Sequence, residues 1–378
     1  MGLIVGIDAS RCRSGGAQSH IIGILNTLVP ERHGICSVHI WSYASLLAKV
    51  PNRPWLTKHN PEFLERSLIS QLWWQAVLLS REAKAVQCDV LFAADASTVC
   101  SFHPMVVLSQ DMLSYEPGVM QHFGWGISRL RLRVILFVQN CAFKRAQGVI
   151  FLTRYAGRVI QNSCGKLEKV AYIPHGIDDV FESVERIPAS AMHDMPSIRC
   201  LYVSNAAPYK HQWQVVKAVE LLRSEGYPID LELVGGGSGA AQRRLDKQIA
   251  LSDPYRIYVT QKDFVRQEKL TDILRQADIF VFASSCENMP VTLLEGMAAG
   301  LPIACSNRGP MPEVLEDGGV YFDPERPTEI AAAIRSLIDD NTMCNRLSRR
   351  AKELSNQFTW ARCSFETFKF LVEHRAHQ

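Results

Sequence analysis

The amino-acid sequence predicts an α/β protein of two domains, each a parallel sheet with helices on both faces. Three observations carry that expectation. Short apolar runs alternate with helical segments from residue 3 to about residue 173, the order that crossover-connected parallel strands produce. A mixed stretch at residues 178–197, with Pro188 and Pro196, then reads as a linker. The alternation restarts at Ile198, and 378 residues are enough for two ordinary cores. The expected domains are residues 1–185 and 186–360.

Composition narrows the class. Lys and Arg number 41 against 38 Asp and Glu, so the formal charge of +3 gives no mandate for a nucleic-acid partner. The 11 cysteines stand singly, without a C-x-x-C pair, which fits buried thiols in a reducing cytosol rather than a disulfide framework. No stretch approaches a transmembrane span, and the first residues run directly into a strand. The expectation is a cytoplasmic protein, soluble or peripheral on the inner face of the membrane. D-x-D, H-E-x-x-H and clustered Cys/His spacings are all absent, so no metal site is expected.

In the first half, the expected strands are residues 3–8, 36–41, 89–93, 105–108, 148–151 and 170–173. The first leads into a polar loop, residues 9–14, and then into Gly15 and Gly16, which open a helix. Strand, glycine pair and helix can bring backbone close to a phosphate, although a plain turn fits the residues equally well. Residues 64–85 read as one helix in which Trp73 and Trp74 are core. The strand at 105–108 ends in Gln110 and Asp111, which on their own account merely begin a turn. The helix of residues 127–146, bounded by Ile127 and Ala146, mixes Arg129, Arg131, Arg133, Lys144 and Arg145 with apolar residues. Such a helix suits an anionic membrane surface or a solvated face packed on the sheet.

In the second half, a strand from Cys200 to Val203 enters a turn carrying Asn205 and Lys210. The next strand ends in Gly235, Gly237 and Ala240, which match G-x-G-x-x-A. A dinucleotide fold is nevertheless not expected, because no acid ends the following strand, residues 256–260, where a ribose partner should stand. The richest stretch is residues 285–314. An apolar strand, residues 278–283, leads into a loop, and Pro290 starts a small-residue helix closed by Gly300. Asn288 supplies a residue for a turn with φ above zero. Glu287 stands just before the helix and Glu295 just inside it. A carboxylate beside a phosphate-binding helix start must face neutral hydroxyls, which is the place for Glu287. Glu295, among Leu293, Leu294, Met297 and Ala298, needs a hydrogen-bonding partner such as a vicinal diol. Two glutamates at this spacing also arise by chance.

The whole stretch resembles the retaining nucleotide-sugar glycosyltransferases of the GT-B class, the fourth family of the sequence-based classification. Glu287, Glu295, Gly300, Pro302, Pro312 and Glu313 stand in the places of its signature. Residues 172–178 resemble the segment that ends the first domain, with His175 for the usual Asn, and residues 358–360 resemble the F-x-W turn before the final helix. The resemblance implies a GT-B fold, two Rossmann-like domains facing a cleft, with residues 361–378 packing back on the first. It implies that Glu287 binds the sugar, Glu295 the ribose and Lys210 the pyrophosphate, with Asn288, Met289, Pro290 and Val291 holding phosphate through backbone. Gly15, Gly16 and Gly235 would border the donor. Two departures stand out: Gln110 before Asp111 replaces a His near the sugar, and Asn205 replaces an Arg, a charge that Lys262 or Arg308 would have to make good.

The implied activity is metal-independent, cofactor-free transfer of a hexose from a GDP- or UDP-sugar to a saccharide or lipid-linked acceptor, with retention. The implied setting is bacterial surface polysaccharide assembly, such as an O-antigen mannosyltransferase of lipopolysaccharide synthesis. A nucleotide-sugar epimerase of the same architecture, or a non-catalytic partner that keeps the fold, are the alternatives.

Overall fold

The computed structural model describes residues 2–13, 15–123, 126–184 and 197–375. The chain forms two compact units, Met1–Gly176 with Phe358–Gln378, and Ile177–Gln357. The expected boundary at residues 185 and 186, Ser14 of the first loop and residues 376–378 lie outside the described residues.

Unit 1 is built on seven strands, β1 (Leu3–Asp8), β2 (Ile35–Trp41), β3 (Leu56–His59), β4 (Val90–Ala93), β5 (Met105–Leu108), β6 (Gly148–Phe151) and β7 (Val170–Tyr172). They form one parallel sheet in the order β3-β2-β1-β4-β5-β6-β7. Its connecting helices are α1 (Gly15–Thr27), α2 (Ala44–Leu47), α3 (Leu68–Val77), α4 (Leu79–Ala85), α5 (Ile127–Arg145) and α6 (Arg154–Cys164). Every residue of β4, β5 and β6 is buried, which is why these strands are continuous apolar runs rather than alternating ones.

Unit 2 repeats the plan with β8 (Ile198–Val203), β9 (Ile229–Val234), β10 (Val259–Lys262), β11 (Ile279–Phe282), β12 (Ile303–Ser306) and β13 (Val320–Phe322). The order is β10-β9-β8-β11-β12-β13, again all parallel. Its helices are α7 (Asp179–Glu182), α8 (Gln212–Ser224), α9 (Gly239–Ser252), α10 (Gln267–Gln276), α11 (Val291–Ala298), α12 (Met311–Leu315), α13 (Pro327–Asp339) and α14 (Asn341–Ser355). The last helix, α15 (Trp360–Glu373), belongs to unit 1. It docks on α1, where Ser364 Oγ donates to the Ile24 carbonyl at 2.8 Å and Thr27 Oγ1 to the Trp360 carbonyl at 3.0 Å.

Three elements depart from expectation. The single helix at 64–85 is a 3₁₀ turn, Glu62–Glu65, followed by α3 and α4, because Ser67 caps a fresh helix start by accepting from the Ser70 amide. Trp73 and Trp74 part company there: Trp74 is fully buried, whereas Trp73 is 48% exposed. The strand expected at 256–260 begins only at Val259. Arg256 sits at φ 55° and the Asp253 carboxylate gathers the amides of Ile257, Tyr258 and Val259 into a turn. The edge strand β3 carries Thr57, Lys58 and His59 and gives no apolar signal from which to expect it.

In each sheet the strand order reverses beside the first strand, between β1 and β4 in unit 1 and between β8 and β11 in unit 2. Loops that diverge at such a point leave a crevice at the carboxyl ends of the strands, the usual ligand position in open α/β sheets.

Candidate functional site

At the crevice of unit 2, the loop after β8 and the loop after β11 are stitched together. The Ser285 amide donates to the Tyr209 carbonyl at 2.8 Å, and Ser285 Oγ lies 2.8 Å from His211 Nε2. Tyr202, buried on β8, donates its hydroxyl to the Lys210 carbonyl at 2.7 Å, fixing the turn from below. His211 holds the left-handed conformation, φ 48°, that swings the chain from this turn into α8. The stitching presents two side chains to each other. Lys210 Nζ donates to Glu287 Oε1 in an ion pair whose side chains are only 11% and 14% exposed.

Four expectations change at this point. Asn288 is not among the residues with positive φ; it is buried, and His211 is the left-handed residue of the site. Pro290 caps α11 instead of starting it, accepting from the Leu293 and Leu294 amides at 3.0 and 3.1 Å. Val291 donates its amide to the Met289 carbonyl at 3.0 Å and Pro290 has none, so these two drop out of the phosphate-holding backbone expected at 288–291. The cations expected to offset Asn205 are engaged elsewhere, Lys262 with Glu232 at 2.6 Å and Arg308 with Asp323 at 2.8 Å. Asn205 itself is exposed.

The glycine run after β9 has a structural reason. Gly235 has φ 129°, and a Cβ there would lie 2.5 Å from the Ser204 carbonyl oxygen. Small residues let this loop press against the loop after β8, where the Ala206 amide donates to the Gly236 carbonyl at 2.7 Å.

Glu295 lies on the inward side of α11, with only part of its side chain reached by solvent. Burial pushes its carboxyl up from 4.5 to about 8, and the nearby Asp178 carboxylate adds to the rise. At neutral pH the group is a neutral acid, able to donate as well as accept.

Unit 1 presents a different set at its crevice. Asp8 ends β1 and is buried, its carboxylate accepting from Ser10 Oγ at 2.6 Å and from Gln75 Nε2 at 2.6 Å. Asp95 follows β4 and accepts from the Ser97 amide at 2.6 Å. After β5, Gln110 donates to the Ala94 carbonyl at 2.8 Å and Asp111 accepts from the Leu113 amide at 3.0 Å, which makes the turn that these two residues begin. Burial raises the carboxyls of both Asp8 and Asp111, with Asp95 adding repulsion to each. Gly15 and Gly16 are exposed at the start of α1, and a Cβ at either would meet nothing within 4 Å. His175 packs in unit 1 against His20, their Nδ1 atoms 2.9 Å apart, both buried; burial holds the His175 imidazole down at about 4. Among the described residues no group of three or more His, Cys, Asp or Glu side chains is placed to hold a metal.

Residues 183–354 match the family model of glycosyl transferases group 1. The second unit belongs to this family. Two curated relatives agree with the group 1 assignment: a D-inositol 3-phosphate glycosyltransferase of Paenarthrobacter aurescens, 27% identical over 57% of this chain, and the O-antigen chain mannosyltransferase B of Escherichia coli, 26% identical over 49%. The chain covers 54% and 51% of those relatives' lengths. Solved structures extend the likeness in fold over the whole chain. A sucrose-phosphate synthase from Thermosynechococcus elongatus superposes with a TM-score of 0.76 at 16% identity, covering 97% of both chains. HepE of Anabaena, solved in complex with UDP, superposes with 0.71 at 18% identity, covering 98% of this chain and all of that one. The fold is therefore GT-B, two Rossmann-like units with parallel sheets of seven and six strands.

Sequence reasoning placed Lys210 and Glu287 separately and missed that they pair. A partial signal existed, since each was assigned to the loop after a strand; the missing information was that β8 and β11 are neighbours.

Proposed function

We propose that the protein is a retaining glycosyltransferase that moves a sugar from a nucleoside diphosphate donor, UDP- or GDP-linked, to a saccharide or lipid-linked acceptor. The observation that carries the reading is the meeting of Lys210 and Glu287 at the switch point of the group 1 unit, one cation and one carboxylate in a crevice at the start of α11. Lys210 takes the pyrophosphate, Glu287 accepts from the sugar's hydroxyls, and Glu295, carrying a proton at neutral pH, meets the ribose diol. Gln110 cannot accept a proton at neutral pH, so removal of the acceptor's proton falls to the departing phosphate, on the same face of the sugar that it leaves. Charge on that phosphate is then stabilised by Lys210 and by backbone amides, without a metal. Gly15 and Gly16, which unit 1's own packing does not require, leave room for a ligand's close approach.

The test is the release of nucleoside diphosphate from a panel of UDP- and GDP-sugars with candidate acceptors. Wild type should turn over one donor class, and Glu287→Ala should lose at least about a hundredfold in rate. Full activity in that variant removes Glu287 from the mechanism.

The same reading sets unit 1 against an anionic membrane that carries the acceptor. Along α5, Ile127, Leu130, Val134 and Phe137 are exposed on one face, and the helix bears five basic residues and no acidic one. Among the described residues no helix is long and apolar enough to cross a membrane. Arg131→Glu with Arg133→Glu should abolish co-sedimentation with phosphatidylglycerol vesicles at low salt; unchanged pelleting removes α5 from the contact.

A further inference from the structure

Lys210 and Glu287 are each other's partner. Their loops are held by two hydrogen bonds that use neither charge, the Ser285 amide to the Tyr209 carbonyl and the Tyr202 hydroxyl to the Lys210 carbonyl. The pair is thus free to open without dismantling the loops that carry it. It is also largely desolvated, and aromatic rings wall the ammonium: Lys210 Nζ lies 5.4 Å from the Tyr209 ring and 5.7 Å from that of Phe282. In such surroundings an ion left without its partner is strongly disfavoured, so whatever takes one member of the pair must leave the other satisfied.

We propose that Glu287 is an internal counter-ion which competes with the diphosphate for Lys210, so that the site retains a sugar-bearing donor and expels the nucleoside diphosphate product. The inference rests on the donor reading above. When a nucleotide sugar binds, its pyrophosphate takes Lys210 and its sugar hydroxyls donate to the released Glu287 carboxylate, so both charges stay partnered. Once the sugar has gone to the acceptor, the carboxylate has nothing left to accept from and stands beside two phosphates of its own sign. Closing the ion pair again then runs together with loss of the diphosphate. Glu287 thus sets the preference for donor over product through the contact that only the sugar-bearing ligand can make with it.

The test is calorimetric titration of UDP and of GDP, separately and without divalent metal, into wild type, Glu287→Gln, Lys210→Met and the double variant, with folding checked by circular dichroism. If the pair is closed about nine-tenths of the time, removing the carboxylate's charge should tighten diphosphate binding about tenfold, because the competent state no longer has to be opened. Lys210→Met should abolish that binding, and the double variant should match Lys210→Met. The nucleotide sugar of the same base should bind Glu287→Gln more weakly than wild type, so the order of the two ligands shifts in opposite directions. Should Glu287→Gln fail to fold, Glu287→Asp, which withdraws the carboxylate from Lys210, should shift diphosphate affinity the same way by a smaller factor. Unchanged or weaker diphosphate binding in the Glu287 variants, with Lys210→Met still losing it, overturns the counter-ion role and leaves the donor site standing. Equal binding by Lys210→Met and wild type, or no diphosphate bound by any protein, overturns both.

Discussion

The two units share a doubly wound parallel sheet, yet the crevices at their switch points are finished with opposite chemistry. Unit 2 ties its two loops together through Ser285 and Tyr209 and sets a cation against a carboxylate. Unit 1 gathers Asp8, Asp95 and Asp111; burial raises the carboxyls of Asp8 and Asp111, with Asp95 adding repulsion to each and Arg131 offsetting part of the rise at Asp111. On the proposed reading a phosphate is favoured at the first and disfavoured at the second. One architecture, on that reading, carries an anion-binding crevice in one unit and a crevice suited to neutral hydroxyl donors in the other, through residues at the carboxyl ends of five strands.

The glycines sharpen the contrast, and they should give the largest difference in stability. Gly235→Ala in unit 2 forces a side chain onto the Ser204 carbonyl at φ 129° and should cost about 3 kcal/mol, read as a fall in Tm. Gly15→Ala in unit 1 meets open space and should stay within about 0.5 kcal/mol of wild type or gain slightly from helix propensity. Equal losses in the two would mean that the glycine run after β9 is not a packing device.

A smaller effect follows from Glu295. Its carboxyl is held at about 8 against 4.5 for an ordinary glutamate, so between those values the folded protein keeps a proton that the unfolded chain has lost. Stability from this group is therefore full below pH 4.5, falls as pH rises through that window, and levels off above pH 8. Glu295→Gln cannot ionise. It should match wild type near pH 5 and melt a few degrees higher at pH 9. Parallel Tm profiles for the two proteins would place Glu295 in water.

How much of this was legible in the sequence depended on how local each feature is. Residues 285–314 were readable because strand, loop, helix and both glutamates lie on one continuous segment, whose spacing survives folding unchanged. The alternation that defines both sheets was readable for the same reason. The Lys210–Glu287 pair was not, because its members are separated by 77 positions and meet only through the adjacency of β8 and β11. Asn288 was misjudged since asparagine merely tolerates left-handed backbone, and His211, a poorer candidate by type, is held there by its neighbours. The delayed start of β10 turned on the Asp253 carboxylate capturing three amides, which no periodicity reports. The glycines after β9 matched a dinucleotide pattern while serving a contact between neighbouring loops.

On the proposed reading, donor chemistry resides in unit 2. The most direct measurement compares Lys210→Met in unit 2 with Asp111→Asn in unit 1, titrating the nucleoside diphosphate that wild type binds. Lys210→Met should weaken binding of the ligand by at least about a hundredfold, while Asp111→Asn should bind it within about twofold of wild type. Loss in the Asp111 variant with retention in the Lys210 variant would contradict that reading and move the anion site to unit 1.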